Sequence, residues 1–346
     1  MNILVLNHSL DDVMRRLFGD ISETTGYHVY ISGPGESSRK EYGKCEGIES
    51  PPIKSKITPR AIAALRRTIK ERRINIVYAP STSGLSNALI ASLGTKARCV
   101  GYRGTQHRIH RSDPSNYLAL LNPRVAHISC ETADIYENLQ NYVPASRLSW
   151  KSKPFHLDWA AEALAEPAPT APEVSRAALR LIFVGVAKGR PYKGLSVLIE
   201  AMHLLKDLDV ALTVVGEAGD SDIKAAPPSV VFTGNRSDAM NLMASHNIFV
   251  LPSLRDASPR VLREAQACGL PCIVSDIPGA RDLIVAGQSG FLVAPGSAEA
   301  IAEAVRKFAS DSALTKAMGE KAKRNIAENF APEAFTEYYI NLFNSL

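Results

Sequence analysis

The stretch Pro252-Ser-Leu-Arg-Asp256-Ala-Ser-Pro-Arg-Val-Leu-Arg-Glu264-Ala-Gln-Ala-Cys-Gly269-Leu-Pro271 decides how the rest of the chain is read. It follows one apolar run, Ile248 to Leu251, and precedes another, Cys272 to Val274. It therefore reads as strand, short loop, helix and strand. Ser258 is placed to cap the helix, Pro259 to open it and Gly269 to end it. Asp256 then falls just before the cap, and Glu264 lies roughly 8 Å along the axis from the start. A carboxylate at the second place accepts hydrogen bonds from vicinal hydroxyls. The free N–H groups of Ala257 and Ser258, with the helix dipole, suit a diphosphate. The spacing alone leaves a plainer alternative open, in which Asp256 supports the cap and Glu264 pairs with Arg260 on the surface.

Outward from this stretch, short apolar runs alternate with amphipathic ones along the whole chain, a pattern of parallel sheets wrapped by helices. The first half offers strands at Ile3 to Leu6, Tyr27 to Ile31, Ile74 to Tyr78, Cys99 to Tyr102 and His127 to Cys130. Residues 162 to 175, rich in Ala, Pro and Glu, read as a linker. A second alternation starts at Leu179 and runs to helices near the end of the chain. Two similar α/β halves joined by one linker predict a cleft. In open α/β sheets ligands bind beyond the carboxyl ends of the strands.

The 346 residues are 45% hydrophobic and 22% charged, which fits two globular domains. No apolar run approaches a membrane span, and Met1 to Asn7 reads as a first buried strand rather than a signal. Cys45, Cys99, Cys130, Cys268 and Cys272 are scattered, which favours reduced core thiols in a cytoplasmic protein. The net charge of +5 is uneven: residues 1 to 160 hold 22 Lys and Arg against 14 Asp and Glu. Such a balance points to an anionic partner. Nucleic acid is disfavoured, because no nucleic-acid motif accompanies the charge. Thr58-Pro59 opens a basic helix to about Arg73, with a surface that suits an anionic membrane or simply water.

A second phosphate candidate is Phe183-Val-Gly185-Val-Ala-Lys-Gly-Arg190-Pro-Tyr-Lys193-Gly194. It leaves a strand and turns, with glycines and cations, before a helix. Cations there neutralise charge on a departing diphosphate. It lacks the P-loop ending, and no dinucleotide fingerprint follows either opening strand.

Several ordered motifs of the second half resemble the retaining GT-B glycosyltransferases of the GT4 type. These are Phe183-Val-Gly185 with Lys193-Gly194 and Leu198-Ile-Glu-Ala201; Val231-Phe-Thr-Gly234; the spaced acids Asp256 and Glu264 with Gly269-Leu-Pro271; and Pro278-Gly279 through Gly290-Phe-Leu-Val293. The resemblance implies a GT-B fold of two Rossmann-like α/β/α domains facing across a cleft. Residues 1–160 would bind the acceptor, 161–176 link, 177–331 bind the nucleotide sugar, and 332–346 form a helix crossing back to the first domain. It also implies that Glu264 binds the donor ribose, Asp256 contacts the donor sugar and Lys193 holds the diphosphate. Gly185, Gly234, Ala257 and Ser258 complete the donor site. Three departures stand out: the first acid is Asp256 rather than Glu, Val186 replaces the family's Arg, and Asn7 to Asp12 contains no glycine. Arg190 is the expected substitute for that Arg.

In the first half Arg103 occupies about the place of the family's cleft His, with His107 a few residues on; both are expected catalytic residues. The implied reaction moves a sugar from a UDP- or GDP-sugar to a glycan or lipid-linked acceptor, as in bacterial cell-surface polysaccharide or lipopolysaccharide synthesis. No metal or other cofactor is required. Two rivals are a nucleotide-sugar epimerase and a non-catalytic nucleotide-sugar or glycan-binding subunit.

Overall fold

The computed structural model describes residues 1–35, 43–105, 109–165 and 172–346. The chain divides into two compact units, Met1–Pro154 with Pro332–Leu346, and Phe155–Ala331. The division does not fall in the expected linker, 161–176. Helix Leu157–Ala165 already belongs to the second unit, where Phe155 and Ala160 are buried in its core. Apolar residues at the helix's inward positions outweigh the linker-like composition.

In the first unit the strands are β1 (Asn2–Leu6), β2 (His28–Gly33), β3 (Glu46–Glu49), β4 (Ile76–Ala79), β5 (Arg98–Arg103), β6 (Val125–Cys130) and β7 (Leu148–Trp150). They form one parallel sheet in the order β3-β2-β1-β4-β5-β6-β7. Alternate residues feed opposite faces, as a strand period of two requires. Leu4 and Leu6 join one core cluster, Ile3 and Val5 the other. The final helix, Pro332–Ser345, packs in this unit. Phe335, Tyr339 and Phe343 enter the core beside Phe18 and Tyr78. The Tyr339 hydroxyl donates to Ser129 Oγ at 3.1 Å.

The loop after β1 has no glycine, yet it keeps a left-handed turn: Ser9 adopts φ 69°. The basic helix spans Pro59–Glu71. Thr58 precedes it without a side-chain cap; its Oγ1 accepts from the N–H groups of Lys54 and Ser55 instead. Arg66 donates to the carbonyls of Ala91 and Leu93, and Arg72 pairs with Glu46 at 2.7 Å. Arg60, Arg67 and Lys70 are exposed.

In the second unit the strands are β8 (Leu179–Val184), β9 (Val210–Val215), β10 (Val230–Gly234), β11 (Ile248–Leu251), β12 (Cys272–Ser275) and β13 (Gly290–Val293). The order β10-β9-β8-β11-β12-β13 is again parallel throughout. Leu181, Ile182 and Phe183 are fully buried, with Ile182 facing the opposite cluster from its neighbours. Strand order reverses between β8 and β11. That is a topological switch point, where the loops leaving two adjacent strands diverge and open a crevice.

Candidate functional site

The two loops that the sequence singles out leave the two strands at this switch point. After β8, Gly185 donates to Val215 O at 2.8 Å. Gly216, at φ 114°, passes so close that a Cβ there would sit 2.3 Å from Gly185 O. Gly216 N in turn donates to Gly234 O at 2.8 Å. Gly185, Gly216 and Gly234 thus line the carboxyl edge of β8, β9 and β10 with bare backbone. Gly216 was not among the expected site residues; a glycine directly after a wholly buried strand was the available signal.

The β8 loop then closes through a single 3₁₀ turn, Pro191–Lys193. Gly194, at φ 71°, starts helix Leu195–Leu204. A Cβ on Gly194 would meet Pro252 O at 2.0 Å, so only glycine lets the two loops touch. Leu254 N donates to Tyr192 O at 2.8 Å, and the Arg255 guanidinium lies 5.0 Å over the Tyr192 ring. These contacts bring Lys193 Nζ to 2.7 Å from Asp256 Oδ2. The pair is largely shielded, with side-chain exposures of 21% and 16%. From the other side, a Cβ on Gly279 would fall 2.1 Å from Asp256 O and 2.3 Å from Ala257 O. Gly194 therefore packs against the start of this loop at Pro252, and Gly279 against its Asp256–Ala257 backbone.

The helix after that loop spans Arg260–Ala267, one residue later than expected. Pro259 holds the cap position in an extended conformation, and no side chain caps the helix. Ser258 does not cap it: its Oγ accepts instead from Arg263 Nη2 at 2.6 Å. A charge-assisted bond from a guanidinium outweighs one from a neutral backbone N–H. Gly269, at φ 80°, follows the helix end.

Glu264 pairs with Arg260 at 2.8 Å, so the plainer alternative for this acid is formed. The two partners differ in depth, however: Glu264 is 18% exposed and Arg260 59%. Burial raises the Glu264 carboxyl above its ordinary value, while Arg260 and Arg263 pull it back down. Arg260 also covers the Trp159 ring at 5.1 Å.

Arg190 is exposed and lines a cavity of about 330 Å³ with Gly189, Ser196, Gly219, Ser221 and Asp222. Neither Lys193 nor Asp256 lines that cavity. Arg103 ends β5 in the first unit, where burial lowers its pKa. Its carbonyl accepts from Glu131 N at 3.0 Å. Glu131 takes the Tyr102 hydroxyl at 2.5 Å and lies 3.9 Å from Lys153, which also holds Asp11 at 2.5 Å. This cluster of a buried and an exposed acid about Lys153 joins residues far apart in the chain, and no local pattern announces it. His107 lies outside the described residues. Among the described residues no group of three or more His, Cys, Asp or Glu is placed to hold a metal ion. None of their helices is long and apolar enough to cross a membrane.

Comparison with known proteins matches residues 173–325 to the family model for glycosyl transferases group 1. That segment, less than half of the chain, is similar to that family, and the fold is GT-B. A capsular polysaccharide biosynthesis glycosyltransferase, CapM of Staphylococcus aureus, is 29% identical over 163 residues, covering 44% of this chain and 43% of that protein. The chain matches less than half the length of the first curated relatives. A glycosyltransferase structure from Rickettsia africae superposes over 99% of this chain and 98% of its own, at 19% identity and a TM-score of 0.81. HepE of Anabaena, solved in complex with UDP, superposes over the full length of both chains at 19% identity and a TM-score of 0.78.

Proposed function

We propose that this protein is a retaining glycosyltransferase. It moves a sugar from a UDP- or GDP-sugar to a glycan or lipid-linked acceptor in the assembly of a bacterial surface polysaccharide. The carrying observation is the shielded Lys193–Asp256 contact at the switch point of the second sheet, on the loop whose following helix carries the half-buried Glu264. In this reading the anomeric C–O bond to the diphosphate breaks, the acceptor hydroxyl oxygen bonds that carbon, and its proton passes to the departing diphosphate. Lys193 neutralises the leaving group, Asp256 orients the donor sugar and Glu264 holds the ribose hydroxyls. Gly185 and Gly234 admit the nucleotide close to the backbone, and Ala257 and Ser258 face the phosphates. Arg103 and His107 are assigned to the acceptor side, and Arg190 to a reserve cation beside the phosphate loop. The chemistry requires a cation beneath the leaving diphosphate, which Lys193 supplies.

The test is incubation with a panel of UDP- and GDP-sugars, reading nucleotide release and the anomeric configuration of any product by NMR. Slow donor hydrolysis with retained configuration is expected. Interconversion of the sugar, or binding without turnover, would refute the transferase reading. The similarity to a capsular polysaccharide enzyme supports a surface-glycan acceptor.

The exposed cations of helix Pro59–Glu71 support docking at the cytoplasmic face of an anionic membrane, where a lipid-linked acceptor resides. Co-sedimentation should be strong with phosphatidylglycerol vesicles, weak with phosphatidylcholine, and lost in an Arg67→Glu/Lys70→Glu variant. Equal recovery with both lipids would exclude the electrostatic docking.

A further inference from the structure

Helix Arg260–Ala267 carries an arginine that the donor reading has not used. Arg263 is only 3% exposed, and its guanidinium carbon lies 5.8 Å over the Phe330 ring. A buried guanidinium is costly, and an apolar side chain of similar volume fills such a space at lower cost. Packing alone therefore gives no reason for an arginine here.

Its hydrogen bond to Ser258 is one of the polar contacts that do. A guanidinium has five N–H donors and no acceptor. In the 2.6 Å contact between them, Ser258 Oγ must be the acceptor. The hydroxyl proton of Ser258 then points away from Arg263, and among the described residues no group accepts it. Ser258 is half-buried and follows directly on Asp256 and Ala257, whose carbonyls pack against Gly279. The charge of Arg263 is also felt locally, since it draws Glu264 toward its ionised form.

We propose that Arg263 is a positioning residue for the diphosphate of a nucleoside-diphosphate donor. It occupies the Ser258 oxygen, leaves that hydroxyl as a one-way donor to a phosphate oxygen, and backs the loop with a fixed positive charge. This rests on the donor site set out above, and no step of the chemistry passes through Arg263 itself.

The experiment is calorimetric titration of UDP and GDP at pH 8 into the full chain, with thermal melting run in parallel. The variants are Ser258→Ala, Arg263→Met, Arg263→Lys and the Ser258→Ala/Arg263→Met double. Each of Ser258→Ala and Arg263→Met should weaken diphosphate binding by about ten- to a hundred-fold, the loss of one hydrogen bond with a charged partner. The double variant should bind no more weakly than Arg263→Met, because the two residues act as one unit. Arg263→Lys, which keeps a charge and a donor, should recover part of the loss. Affinity for uridine or guanosine, which carry no phosphate, should be unchanged by Ser258→Ala. Fully additive losses, an equal loss for the nucleoside, or a lowered melting temperature with unchanged diphosphate affinity would each overturn the proposal. If Arg263→Met does not fold, Arg263→Lys decides: its effect must vanish in the Ser258→Ala background. Binding of neither UDP nor GDP by the native chain would overturn the function itself and this role with it.

Discussion

Replacing Asp256 by Asn should tighten binding of the free nucleoside diphosphate while depressing sugar transfer. Asp256 holds Lys193 at 2.7 Å in a contact where both side chains are about one-fifth exposed or less. A diphosphate that uses Lys193 must share it with that carboxylate and also tolerates a second negative charge nearby. Hydrogen bonds to charged groups contribute about 1.5–3 kcal/mol net, and this pair lies deeper than the surface ion pairs that contribute almost nothing. At about 1.4 kcal/mol per decade, removing the charge but keeping the shape should lower the Kd for UDP or GDP by about ten- to a hundred-fold. The same change removes the acid that orients the donor sugar, so kcat should fall even as nucleotide affinity rises. Calorimetry with the nucleotide, alongside turnover with the full donor, separates the two effects. An unchanged or weaker nucleotide Kd would show that the diphosphate does not sit against Lys193, and the reading of the whole loop would fail.

Other outcomes follow from the same geometry. Lys193→Ala should abolish transfer with the fold intact; unchanged turnover would remove it from the leaving-group role. Glu264→Gln should weaken nucleotide binding by about 1–3 kcal/mol, read by the same titration, since the amide loses charged hydrogen bonds to the ribose. Because burial raises the Glu264 carboxyl above its ordinary 4.5, the native fold binds this proton more tightly than the unfolded chain does. Stability from this group is therefore present at low pH and declines as pH rises through the raised value. Glu264→Gln should flatten that decline in urea midpoints measured from pH 4 to 7; identical slopes would contradict it. Gly279→Ala should cost about 1–3 kcal/mol by overpacking against the carbonyls of Asp256 and Ala257, and should reduce turnover with it. Ser9→Gly should raise stability by about 1 kcal/mol by removing side-chain strain at φ 69°, seen as a higher denaturant midpoint.

The central strands were legible because each is a continuous apolar run, as parallel strands covered on both faces must be. β8, with Leu181, Ile182 and Phe183 all fully buried, is such a case. The edge strands β3 and β7 were not legible: Glu46–Glu49 is half acidic, and Leu148–Trp150 has three residues. Both are held by backbone pairing with the preceding strand, which leaves no mark on local periodicity. The acids and Lys193 could be nominated from local spacing, but their meeting could not. It depends on Gly194 lying against Pro252, a contact between loops from two strands that are adjacent only after folding. Ser258 does not take the cap role its position suggests because its strongest partner, Arg263, lies within the helix itself.

The placement of helix Pro332–Ser345 in the first unit has a consequence for biosynthesis. Phe335, Tyr339 and Phe343 fill a core whose other walls, Phe18 and Tyr78, are made early in translation. The ribosome therefore delivers everything needed for the second unit before it delivers the last piece of the first. The unit that begins first should be the one that finishes last, its aromatic face uncovered until those residues emerge.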